Sequence, residues 1–155
     1  MTRHNKTGRS KRALSPFIAM ERYMLESHAW QSLSLPARCA LIEMLSIYNG
    51  RNNGCIGQSA RMLAESLHIS RATANRALRE LTDKGFIEAV KAGGFSMKSG
   101  PRATEWRLTM HPCNVTNETR PSKKFMRWHK GKIHLAVPPE GQSGTTRGPV
   151  SVATQ

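Results

Sequence analysis

Acidic side chains are scarce in this chain. Asp and Glu number 10 against 24 Lys and Arg, which leaves a formal net charge of +14. Such a balance does not define a fold, but it favours a polyanionic partner, nucleic acid before an anionic membrane surface. Aromatics are also few, at 6% of 155 residues, so any core is modest and mostly aliphatic. No apolar run approaches the roughly 18–20 residues a membrane span requires. Ala13–Met20 is broken by Ser15 and Pro16 and makes a poor signal-peptide core, so no membrane partner is expected. The three cysteines, Cys39, Cys55 and Cys113, are odd in number and widely spaced. They offer no disulfide framework, and a reducing cytoplasm is the expected compartment. Phosphate-binding glycine loops, nucleophile elbows and grouped acids are missing, so neither enzyme activity nor a cofactor is expected.

The positive charge is unevenly placed. Residues 1–12 carry Arg3, Lys6, Arg9, Lys11 and Arg12 without an acid, and residues 110–134 carry six cations against Glu118. The long middle segment, residues 13–109, holds a net charge of only +4. The chain is expected to divide into a basic disordered arm (1–13), a folded domain (14–110), a basic and aromatic extension (111–134) and a disordered tail rich in Pro, Gly, Ser and Thr (135–155).

Within the middle segment the apolar spacing predicts four helices. The first runs from about Pro16 to His28, capped by Ser15. The second starts at Ser34 and sets Ala37, Ala40, Leu41, Met44, Leu45 and Tyr48 in one stripe, which Asn49-Gly50 ends. A loop over Asn49–Gly54 and a short strand near Cys55-Ile56 follow. The third helix begins near Ser59 with Met62, Leu63 and Leu67 inward. The fourth, Arg71–Lys84, is capped by Ser70 and closed by Gly85. At 100° per residue, Ala74, Ala77, Leu78 and Leu81 form its buried stripe, with Ala72, Arg76 and Arg79 opposite and Arg71 and Asn75 on the flank. After Gly85 the period becomes strand-like at Phe86–Val90. A loop with Phe95, Lys98 and Arg102 leads to a second strand, Thr104–Met110. Met20, Met24, Met44 and Met62 are expected as core fillers, Trp30 and Trp106 as packing, and Cys39 as a small buried hydrophobe.

Two short helices joined by a tight turn over Ser59–Ile87 form a helix-turn-helix pattern. Its small-Leu-Ala start, Ser at the turn, Thr-x-x-x-Ala-Leu run and Gly-aromatic-Ile close are similar to the winged helix-turn-helix domains of bacterial regulators, with the GntR and MarR types closest. The N-terminal domains of phage and plasmid replication initiators look similar too. The match covers about residues 56–92, and the wing extends it to about 110. At the turn position usually held by Gly stands His68, a residue type that tolerates positive φ. The fold class expected is mainly α with a small β-hairpin, a winged helix-turn-helix with a two-stranded wing. No effector-binding domain of the GntR kind is recognisable, so no small-molecule ligand is expected.

In that fold the second motif helix enters the major groove. Arg suits guanine O6/N7 and Asn suits adenine N6/N7. The candidate recognition-helix residues are Ser70, Arg71, Ala72, Thr73, Asn75, Arg76 and Arg79. The candidate wing and backbone contacts are Arg61, Lys91, Lys98 and Arg102. The bland alternative is a solvated helix face with Arg79 pairing to Asp83, beside an ordinary charged hairpin. His111, Cys113, His129 and His134 match no common zinc spacing, so no metal is expected. Arg120–Lys132, where cations interleave with Phe125 and Trp128, suits RNA contact, docking on the domain or a covering tail, and docking is preferred because exposed aromatics are costly. The expected function is sequence-specific binding of double-stranded DNA by a homodimeric bacterial or phage transcription regulator at the nucleoid. The alternatives are a replication or plasmid-maintenance protein at origin repeats, and an interaction protein with RNA-binding tails.

Overall fold

The structure, a computed structural model, describes residues 17–131 apart from Ser99, Asn114, Asn117 and the side chains of Phe95 and Ser96. The basic arm, the tail, the Ser15–Pro16 cap and His134 lie outside the described residues. The helices are α1 (Arg22–Glu26), α2 (His28–Gln31), α3 (Leu35–Ile47), α4 (Ala60–Leu67) and α5 (Arg71–Asp83). The strands are β1 (Ile56–Gly57), β2 (Ile87–Lys91), β3 (Gly94–Ser96), β4 (Gly100–Arg102) and β5 (Glu105–Leu108), and a 3-10 turn follows at Lys124–Arg127.

The two long helices form as their patterns require. Ser34 caps α3 by accepting the Ala37 N–H, and Ala37, Ala40, Leu41, Met44 and Leu45 are all buried, with Tyr48 half-buried at the end of the stripe. In α5 the buried residues are Ala74, Ala77, Leu78 and Leu81, the predicted four. Helix α5 packs against both α3 and α4.

The first helix differs from expectation. Two short helices replace one, because Ser27 serves both: its Oγ donates to the Met24 carbonyl (2.6 Å), ending α1, and accepts the Trp30 N–H (3.2 Å), capping α2. Phe17 and Ile18 precede α1 and are exposed. Two inward assignments also fail. Met62 is 46% exposed, since Leu63 takes the inward position of α4, and Cys39 is exposed on the outer face of α3.

The wing is richer than two strands. β1, β5 and β2 form a three-stranded antiparallel sheet in the order β1-β5-β2, while β3 and β4 pair as a separate hairpin at its end. The register sets Ile56 and Ala89 opposite Trp106, and Ile87 opposite Leu108. Leu108 is fully buried and Trp106 half-buried on the same face. The loop before β1 is held by Asn53, 2% exposed. Its Oδ1 accepts the Leu108 N–H (2.7 Å), and its Nδ2 reaches the carbonyls of Leu108, His111 and Pro112 at 2.9–3.0 Å.

After β5 the chain folds back over the domain as a strap. Phe125, fully buried, stacks on Phe86 (ring centroids 4.8 Å apart, planes 8°) and faces Tyr23 at 6.2 Å. Phe86 also meets the edge of Trp30 (6.3 Å). Arg107 ties the strap by ion pairs to Glu88 and to Glu118 (2.6 Å), and Lys124 pairs with Glu88. The strap passes where Gly85 sits at φ +75°. A Cβ there would lie 2.9 Å from the Lys124 Cβ, so a side chain is excluded by conformation and by space alike.

Candidate nucleic-acid interface

Helices α4 and α5 meet through a turn at His68–Ser70. His68 takes the left-handed conformation (φ +53°, ψ 41°) at the C-cap of α4, the position where glycine is usual. Ser70 then caps α5: its Oγ accepts the Thr73 N–H (3.1 Å) and lies 2.9 Å from Thr73 Oγ1. Thr73 Oγ1 in turn accepts from Arg76 Nη2 (3.3 Å), which holds the guanidinium along the first turn. The capping residues and Arg76 therefore form one local chain of hydrogen bonds.

Because the buried stripe faces α3 and α4, the opposite side of α5 is open. Arg71, Ala72, Asn75, Arg76 and Arg79 are all exposed there. Glu80 lies on the flank towards α3. It accepts from the Ser34 N–H (3.0 Å) and Oγ (2.5 Å) and pairs with Lys84 (2.7 Å). Burial raises its carboxyl, but the hydrogen bonds from Lys84 and Ser34 outweigh that and hold the pKa below its ordinary value. The i,i+4 ion pair of α5 is thus Glu80–Lys84, and among the described residues Arg79 and Asp83 form none. The outward face carries three cations, with Asp83 its one acid, at the C-terminal end.

The expected backbone contacts are placed in different ways. Arg61 is exposed on α4 and paired with Glu65 (3.0 Å). Lys91, at the end of β2, lies 3.9 Å from Glu105. Lys98 sits in the exposed turn between β3 and β4, and Arg102 is exposed on β4 opposite Gly94. Asn75, Arg79 and Arg102 come together on one cleft of about 330 Å³ between α5 and the β4–β5 connection, whereas Arg71, Ala72 and Arg76 lie outside its lining. Gln58, Ser59 and Thr104 line the same cleft. Neither Gln58 nor Thr104 belongs to an apolar period or a motif position, so reading the sequence did not single them out.

Elsewhere the titratable groups have structural duties. His111 stacks on Tyr48 (4.3 Å), and burial lowers its pKa against a smaller opposing pull from Glu21. His129 faces His28 at 5.8 Å. Among the described residues no three His, Cys, Asp or Glu side chains converge as metal ligands, and no helix is long and apolar enough to cross a membrane.

Residues 50–91, about a quarter of the chain, match the model of the MarR family. They run from the Gly50 turn through β1, α4 and α5 to the end of β2. No curated protein and no solved structure matches the chain. The matched segment, the exposed second helix of the motif and the small antiparallel sheet agree: the chain carries a winged helix-turn-helix, and over residues 50–91 it is similar to the MarR family, whose members are DNA-binding transcriptional regulators.

Proposed function

We propose that this protein is a sequence-specific double-stranded DNA-binding regulator that reads the major groove with α5. The observation that carries the reading is the open face of α5. Arg71, Asn75, Arg76 and Arg79 project there, Ala72 leaves room for close approach, and of the two acids of the helix Asp83 lies at its C-terminal end and Glu80 is turned away towards Ser34 and Lys84. Arg71, Arg76 and Arg79 suit guanine, and Asn75 suits adenine. Ser70 and Thr73 set the helix N-terminus, whose free amides suit a phosphate. The hairpin with Lys98 and Arg102, together with Lys91 and Arg61, supplies backbone contacts on either side of the groove. Family members bind DNA as dimers, and a homodimer places two such helices on half-sites about 34 Å apart. In this reading the protein acts in the cytoplasm at the nucleoid, without a small-molecule ligand, and its basic ends add grip that is independent of sequence.

The test is selection of bound sequences from a random duplex library. Replacing Asn75 and Arg76 with Ala is expected to relax the selected preference by about 1–3 kcal/mol for each lost base contact. Both side chains are exposed, so the melting curve should hold. If the double variant discriminates target from random duplex as the parent does, α5 is not the reading element.

A further inference from the structure

The cleft between α5 and the β4–β5 connection contains a polar group that base reading does not use. Gln58 is 3% exposed and is part of the lining of that cleft. Its main chain is fully engaged: the N–H donates to the Thr104 carbonyl (3.0 Å), and the carbonyl accepts from Trp106 Nε1 (2.7 Å). Among the described residues its side-chain amide makes no hydrogen bond. The sealed polar atoms without a partner among the described residues are Arg38 Nε and Ser122 Oγ, so the Gln58 amide is open to solvent and free to bond a group that enters the cleft.

The surroundings define what that is. Arg79 from α5 and Arg102 from β4 reach the cleft from opposite walls. Ser59, the N-cap of α4, stands at its edge. The first-turn amides of that helix therefore point the same way, except for the Met62 N–H, which Ser59 Oγ accepts (3.2 Å). Thr104 Oγ1 accepts from the Gly93 N–H (3.1 Å) and keeps its own hydroxyl proton to donate. Asp83 is the one acid in the lining, about two helical turns beyond Asn75. The balance is donors and positive charge around a volume of about 330 Å³, which calls for an oxyanion.

We propose that the cleft seats one phosphodiester of the bound duplex, held by the Gln58 amide and Arg102, with the charge of Arg79 beside it. This rests on the DNA reading above and adds a residue, Gln58, that the recognition helix does not contain. A strand of the duplex is favoured over a free anion because Asn75 and Arg79 belong both to the groove-facing side of α5 and to the cleft wall. A backbone whose bases face α5 crosses the cleft on its way to the hairpin.

The experiment replaces the phosphates of the selected duplex one at a time by neutral methylphosphonate and measures binding by the parent, Gln58→Leu and Arg102→Ala. At one position the parent is expected to lose about tenfold in affinity, the scale of one hydrogen bond to a charged group. Both variants are expected to bind the unmodified duplex about tenfold more weakly and to lose little more at that position, the signature of a shared contact. Their base preference should be unchanged. Circular dichroism and urea melting check the fold of Gln58→Leu, and Arg102, being exposed, tests the same phosphate without that concern. An interference profile identical in parent and variants overturns the proposal. So does a Gln58→Leu protein that is folded and binds the unmodified duplex as tightly as the parent, the result expected if the amide merely holds water. A parent that selects no duplex defeats the DNA reading and this inference together, and does so before any phosphate is replaced.

Discussion

His68 stands between the two helices of the motif with φ at +53°, a conformation that costs an L-residue roughly 1–2 kcal/mol relative to glycine. Its backbone N–H still closes α4 on the Ala64 carbonyl, so the conformation is set by the turn and not by the side chain. His68→Gly is expected to raise stability by a few tenths to about 1 kcal/mol in urea melts, because relief of strain is partly offset by the freer unfolded chain. His68→Val should destabilise by more than about 1 kcal/mol, since a β-branched residue tolerates this region worst. Neither change should alter which duplex is selected, because the side chain is not on the outward face of α5. The departure from glycine is visible in the sequence, and the structure resolves it in favour of an unchanged turn. Gln58 is the opposite case. A glutamine before a helix cap looks like any surface residue until strand β5 is laid over it.

Among the elements, α3 and α5 were legible because each carries its own stripe and its own Ser cap, and both features are local. The break between α1 and α2 was not. It depends on Ser27 being 8% exposed, a condition that only the packed domain supplies. The short strand near Cys55-Ile56 was legible and appears as β1, whereas β3 and β4 were missed because each is three residues long and carries no alternation, so they form by pairing with each other and not by pattern. For the strap, the cost of exposing two large aromatics was reason enough to expect docking. The site of docking, against Phe86 and Tyr23, was not readable. Phe125→Ala should cost about 3–5 kcal/mol in urea unfolding, the range for a large buried aromatic. A chain ending at Met110, the domain boundary expected from sequence, should show a lower and broader thermal transition than one ending at Gly131. Equal melting of those two chains would show the strap to be dispensable.

For the whole molecule, charge has two separate roles. Glu88 and Arg107 are ion-paired around the strap. Burial raises the Glu88 carboxyl, and the hydrogen bonds and charges of Lys124 and Arg107 overcome it, so the pKa lies below its ordinary 4.5. Glu80 is likewise lowered. The unfolded chain therefore takes up these protons first. The stabilisation is complete above about pH 4.5 and is lost as the pH falls through the folded values. His111, held below 6.5 by burial, adds a penalty of the same sign as the pH drops under 6.5. Urea midpoints should fall from pH 7 to pH 5.5 and again to pH 4, with Glu88→Gln flattening the lower step. The second role belongs to the ends of the chain. Removing residues 1–12 and 132–155 should flatten the dependence of log K on log salt by about 0.9 for each phosphate no longer neutralised, with sequence preference retained.

The stacked rings of Tyr23, Phe86 and Phe125 bear on how the protein is made as well as on how it is held. Synthesis proceeds at about 5–20 residues per second, so roughly 2–8 s separate the emergence of Phe86 from that of Phe125. During that interval α3, α4 and α5 can assemble on local contacts, while Phe86 keeps one ring face exposed. That ring face therefore stays open after β5 has joined the sheet, and the last aromatic of the stack closes it.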